Sequence, residues 1–142
     1  MLLLSVLALH TGAQSQSLGR NRTVSGATDF VVEMLTRAAA EVKPWPGFIR
    51  SSPVVSVTAK QPCQIRITLV DKSVYQVDLS RTLGIKASLS SNSPQSFVEI
   101  TGGVQTFKGI DIYVGDTSSV RRVTEALEFI RESCDKAGAT GF

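Results

Sequence analysis

The chain has one histidine, His10, and two cysteines, Cys63 and Cys134, among 142 residues. Ser-His-Asp and Cys-His nucleophile systems need a histidine, and so low a count leaves them little room. Two well-separated thiols form no CxxC redox motif, and with no second histidine they cannot make up a four-ligand zinc site. Charge is scarce as well: Asp, Glu, Lys and Arg are 19% of the residues, and from Lys43 to Lys108 the basic residues are spaced singly, with no Lys/Arg run. Clustered cations that could release several counterions from a nucleic acid are therefore missing, which argues against nucleic acid as partner. Only nine aromatic residues (six Phe, two Tyr, one Trp) are available to line an apolar small-molecule pocket. There is no GxxxxGK[ST] phosphate loop and no GxGxxG following a strand. No cofactor and no metal site is expected.

What is present begins with Met1–Leu9, MLLLSVLAL, apolar except for Ser5. A bilayer span needs about 20 apolar residues, so this run is too short to cross one. It fits the core of a secretory signal, and Thr11-Gly12-Ala13 places small residues for cleavage after Ala13. No Lys or Arg precedes the run, which departs from the usual signal pattern. Residues 1–13 are thus read as a signal peptide, 14–25 as a polar arm, 26–138 as a single domain and 139–142 as a tail. Cleavage would remove His10 and leave a chain without histidine. In an exported chain, in the bacterial periplasm or outside the cell, the even pair Cys63 and Cys134 reads as one disulfide. Asn21-Arg22-Thr23 matches the N-glycosylation acceptor pattern, which matters only in a eukaryotic secretory pathway.

The domain itself is patterned throughout. Phe30, Val31, Met34, Leu35, Ala38 and Val42 recur at helical spacing, which predicts a helix over Ala27–Val42 capped by Ser25 or Thr28 and stopped at Lys43-Pro44. Pro44-Trp45-Pro46-Gly47-Phe48 reads as a bent loop. Strands follow: Val55, Val57 and Ala59 alternate with polar residues, then Cys63, Ile65, Ile67 and Leu69, then Tyr75, Val77 and Leu79 after a turn at Asp71-Lys72-Ser73. Ser80–Gln95 reads as a serine-rich loop. Phe97–Ile100 is a short strand, Thr101-Gly102-Gly103 a turn, and Ile110, Ile112 and Val114 mark the last strand. Val120, Val123, Leu127, Ile130 and Cys134 form one stripe of a final helix capped within Asp116–Ser119 and ending near Gly138.

Helix, antiparallel strands, helix is the order of an α+β domain: a five- to six-stranded meander with both helices on one face. The alternative is a strongly curved sheet closed at one end by the last helix. From about residue 54 to 137 that element order resembles the pleckstrin-homology-like architecture. The resemblance rests on element order and carries no ligand or site residues.

Function is read from what the surface offers. Between Lys43 and Lys108 lie eight basic residues (Lys43, Arg50, Lys60, Arg66, Lys72, Arg81, Lys86, Lys108) against Asp71, Asp78 and Glu99. Gln64, Arg66, Thr68, Gln76 and Asp78 occupy the outward strand positions. The leading expectation is a non-enzymatic exported binding domain whose partner is a protein or an anionic surface. Trp45, Phe48, Arg66 and Lys72 are its candidate contact residues. Two alternatives remain: a small hydrolase or lyase using carboxylates alone, with Asp71, Asp78, Asp111 and Asp116 as candidates by type, and an intracellular adaptor.

Overall fold

The computed structural model describes residues 22–47, 50–61, 63–91 and 95–139. The expected signal peptide, the arm up to Asn21, Phe48 and the last three residues of the tail lie outside the described residues.

Helix α1 spans Val24–Arg37. Its cap is Thr23, whose hydroxyl oxygen accepts from Gly26 N–H at 3.0 Å. The helix therefore starts three residues before the expected Ala27 and takes in Val24 and Ser25 of the expected arm. It also stops earlier than its apolar spacing predicts. Ala39 adopts φ +48°, a left-handed geometry that ends a helix. Val42 fits the helical stripe by coincidence of phase. Its place is in β1 (Glu41–Trp45), where Val42 and Pro44 point inward at a period of two. Trp45 is consequently a strand residue and not the tip of a loop. β1 pairs with β2 only at Glu41 and Val42, so from Lys43 onward that side needs no backbone donor and Pro44 is tolerated.

The remaining strands are β2 (Ser52–Gln61), β3 (Gln64–Leu69), β4 (Val74–Ser88), β5 (Phe97–Val104) and β6 (Gly109–Tyr113). All neighbours are antiparallel, and β1 pairs with β6 from Glu41↔Tyr113 to Trp45↔Gly109, which closes the meander into a barrel. The expected α+β meander is present, in the curved and closed form. Val42, Ile67, Leu79, Ile100, Ile110 and Ile112 fill the interior. Closure leaves no open inner face on which both helices could lie.

β4 departs most from the sequence reading. Residues Ser80–Ser88, expected as loop, continue the strand around a corner. The first half of β4 pairs with β3, up to Gln64↔Asp78, and the second half pairs with β5 from Thr82 to Ser88. The register shifts between them, as it must where one strand passes between two sheet directions. Gly102 and Gly103 sit opposite this corner at φ +74° and +67°. They are interior to β5 and not the expected turn. A Cβ on Gly103 would run into the Asp78 carbonyl oxygen, so only glycine lets the two strands approach there.

Helix α2 (Thr117–Ala139) begins at Asp116, whose carboxylate accepts from Ser119 N–H at 2.7 Å. Val120, Val123, Leu127 and Ile130 are buried. α2 packs against β4 and β5, and α1 packs on α2 and β2. Cys134 on α2 is bonded to Cys63, with Cα atoms 5.9 Å apart. Cys63 lies in the β2–β3 turn, one residue before β3. Among the described residues no helix is long and apolar enough to cross a membrane.

Candidate functional site

The corner of β4 produces a recess on the barrel's flank. Where β4 leaves β3 at Asp78, the ends of β2 and β3 and the last residues of β5 surround a concavity of about 500 Å³. Lys60, Gln64, Arg66, Gln76, Asp78, Arg81 and Gln105 line it, together with Gly103 and the edges of Ile65, Val77 and Val104. Those three apolar side chains are buried in the barrel, so the exposed lining comes mainly from polar residues, their charged and amide ends together with their aliphatic stems. Strand alternation explains the composition: Gln64 and Arg66 are the outward residues of β3, directly opposite Asp78 and Gln76 on β4.

The electrostatics favour an anion. Three cations face one carboxylate, and that carboxylate is already engaged. Asp78 accepts from Ser80 N–H at 3.0 Å and from the Ser80 hydroxyl at 2.5 Å, contacts that also hold the bend. Among the described residues no carboxylate pairs with Lys60, Arg66 or Arg81; the ion pairs formed are Arg37–Glu33, Lys86–Glu99, Arg131–Glu128 and Arg131–Asp135. The peptide N–H of Gln105 donates to the Gln76 carbonyl at 3.0 Å, closing the β5 wall.

Of the candidate contact residues that lie within the described residues, Trp45, Arg66 and Lys72, only Arg66 lines this recess. Lys72 lies exposed in the β3–β4 turn at φ +69°. Trp45 is half-buried on β1, where its ring covers Gly109. Trp45, on β1, and Lys72, in the β3–β4 turn, thus lie outside the lining of the recess. Lys60 and Arg81 were not singled out. Lys60 has no distinguishing local pattern, and Arg81 falls in a segment whose serines read as loop.

The carboxylates have ordinary structural partners. Asp71 accepts from Ser73 N–H at 2.9 Å, and that bond holds its carboxyl below the usual range. Asp116 is lowered in the same way by Ser119. Asp111 stands opposite Glu99 on β5 and Lys43 on β1. Burial, then the charge of Glu99, pushes its carboxyl up, while a hydrogen bond from the Trp45 indole and the charge of Lys43 oppose the rise. Among the described residues, the recess and three further concavities hold one carboxylate each: Asp78, Asp29, Glu125 and Glu41. Among the described residues no group of three or more metal-ligating side chains converges.

No family model matches the sequence, and comparison with curated proteins finds no match. The fold is similar to that of the PH domain from TgAPH, with a TM-score of 0.50 over 79% of this chain and 93% of that one, at 10% identity. At such identity the likeness concerns the fold alone. The chain thus has a pleckstrin-homology-like fold, a six-stranded antiparallel barrel with a C-terminal helix packed across it.

Proposed function

We propose that the chain is a non-enzymatic binding module of an exported protein, working through the basic recess on the flank of its barrel. The observation that carries this reading is the set of cations Lys60, Arg66 and Arg81 around one concavity, to which no carboxylate among the described residues is paired. Leaving three like charges together costs stability through mutual repulsion, a cost that an anionic partner would relieve. The partner is a protein or an anionic surface. Export is supported by the Cys63–Cys134 bond, which persists in oxidising compartments, and by the apolar run at Met1–Leu9.

Capture of partners from the native compartment tests the surface. Wild type and the Arg66→Glu and Arg81→Glu variants are compared at low and high salt. Both variants are expected to lose capture, and salt is expected to weaken the wild type. Equal capture by all three under both conditions overturns the surface. The intact mass of native protein tests export: a mature chain beginning at Gln14 supports it, and a chain retaining Met1 with two free thiols favours an intracellular adaptor.

A further inference from the structure

We propose that the recess takes an acidic peptide segment of the partner, bound in an extended conformation with carboxylates at alternate positions. This deepens the reading above and rests on it.

The first argument is the repeat. Gln64 and Arg66 project from the same face of β3, two residues apart, and their cross-strand partners Asp78 and Gln76 repeat that spacing on β4. Same-face residues of a strand lie about 6.6–6.8 Å apart, which is also the repeat of alternate side chains in an extended peptide. A segment lying along the recess can place one carboxylate by Arg66 and another by Arg81 or Lys60 beyond it.

The second argument is the chemistry of the lining. Arg66 and Arg81 offer planar forks that match carboxylates in a bidentate manner. Gln64, Gln76 and Gln105 each supply a donor pair and an acceptor, which suits a peptide backbone presenting N–H and C=O groups in turn. An isolated phosphate or sulfate accepts from the cations and the amide N–H groups but offers no donor to the amide carbonyls, whereas a peptide backbone offers both.

The third argument excludes flat and stacking partners. The cations stand around a concavity in which Arg66 is half-buried, a shape that an extended chain can enter and that a planar bilayer meets only at the rim. Among the described residues no aromatic side chain lines the recess, and single-stranded nucleic acid is held by stacking on such side chains. Among the described residues the exposed large apolar side chains Val55, Val70, Val74, Leu83 and Leu89 all lie outside the recess, so an apolar anchor is not part of the fit.

The test uses the full chain with its disulfide intact and a fluorescein-labelled peptide of alternating glutamate and serine, read by anisotropy at low salt. The peptide is expected to bind, and its counterpart with glutamine in place of glutamate is not. Arg66→Gln and Arg81→Gln are each expected to weaken binding about tenfold, the scale of one lost charge-assisted hydrogen bond. Lys108→Gln removes the same charge in the β5–β6 turn, outside the recess, and is expected to leave affinity within about twofold. Thermal melts confirm that each variant folds, and amide chemical-shift changes are expected at Gln64, Arg66, Gln76 and Gln105. The proposal is overturned by absence of peptide binding, by an equal loss in Lys108→Gln, or by shifts confined to other strands. Arg66-dependent binding to phosphatidylserine-doped vesicles, with none to the peptide, overturns it in favour of a lipid surface. If the peptide fails while Arg66-dependent capture of a native partner persists, the peptide proposal falls and the binding-module reading stands; loss of both removes both.

Discussion

Cys63 and Cys134 are bonded across 71 residues of chain, with Cα atoms 5.9 Å apart, and so tie the β2–β3 turn to α2. The turn sits between Lys60 and Gln64, two residues of the basic recess. Its carbonyl at Cys63 also accepts from Leu79 N–H at 2.7 Å, beside the β4 corner. One covalent link thus restrains the helix and one wall of the recess. In the chain-entropy account a closed loop of this length stabilises a fold by about 4 kcal/mol. Cys63→Ser with Cys134→Ser, or dithiothreitol on the wild type, is expected to lower the urea midpoint accordingly. A midpoint indifferent to both treatments would show that the bond contributes nothing.

Asp111 gives a pH dependence of opposite sign to the usual acid denaturation. Burial and Glu99 raise its folded-state pKa above the ordinary 3.8. The folded chain therefore holds this proton more tightly than the unfolded chain, and stability is lost as pH rises through the interval between the two values. Asp111→Asn, which retains an acceptor for the Trp45 indole, is expected to melt higher than wild type at neutral pH. The difference should vanish below the carboxyl range, where Asp111 is protonated in both states. Asp71 and Asp116, whose carboxyls are lowered, lose their contribution as pH falls. They do so equally in both proteins, so the difference between the melts isolates Asp111.

Gly109 faces Trp45 across the β1–β6 seam. A Cβ there would overlap the Trp45 ring and the Ile100 carbonyl oxygen. Gly109→Ala is expected to cost about 1–3 kcal/mol, the range for overpacking a filled site. It should also shift the emission of Trp45, the only tryptophan in the chain. An unchanged melt and spectrum would mean that the seam is looser than its geometry.

Leu127 on α2 is 1% exposed, whereas Leu83 at the β4 corner is 80% exposed. Leu127→Ala is expected to cost about 2–5 kcal/mol, since truncation leaves a cavity where α2 packs on the barrel. Leu83→Ala should stay within about 0.5 kcal/mol. Comparable losses in the two variants, measured by urea unfolding, would contradict the packing of α2 described here.

Legibility of the chain follows how local its signals are. Ile65, Ile67 and Leu69 alternate with polar neighbours because one face of β3 is buried, and such alternation is readable without a partner. The stripe from Val120 to Cys134 is equally local, and so is the Asp116 cap. The start of α1 was missed because Thr23, Ser25 and Thr28 are all chemically competent caps, and only backbone geometry selects among them. Val42 was assigned to the helix because it fits both the period of α1 and the inward phase of β1. Of the recess, Gln64, Arg66, Gln76 and Asp78 were legible as outward strand positions. Arg81 was not, because its neighbours carry the composition of a loop.

Residue order alone determined the α+β class, the antiparallel order of the strands, the amphipathic faces of both helices and the shortage of catalytic groups, since each depends on spacing along the chain or on composition. Tertiary structure decided the rest. Barrel closure requires β1 and β6 to meet, and hydrogen bonds between strands so distant in sequence leave no local pattern. The β4 corner requires Gly103 to yield to the Asp78 backbone and Gly102 to Leu83, and Gly-Gly reads the same in a turn as in a bulge. The gathering of Lys60, Arg66 and Arg81 follows from that corner, because single cations spread over three strands become a site only when the sheet curves around them.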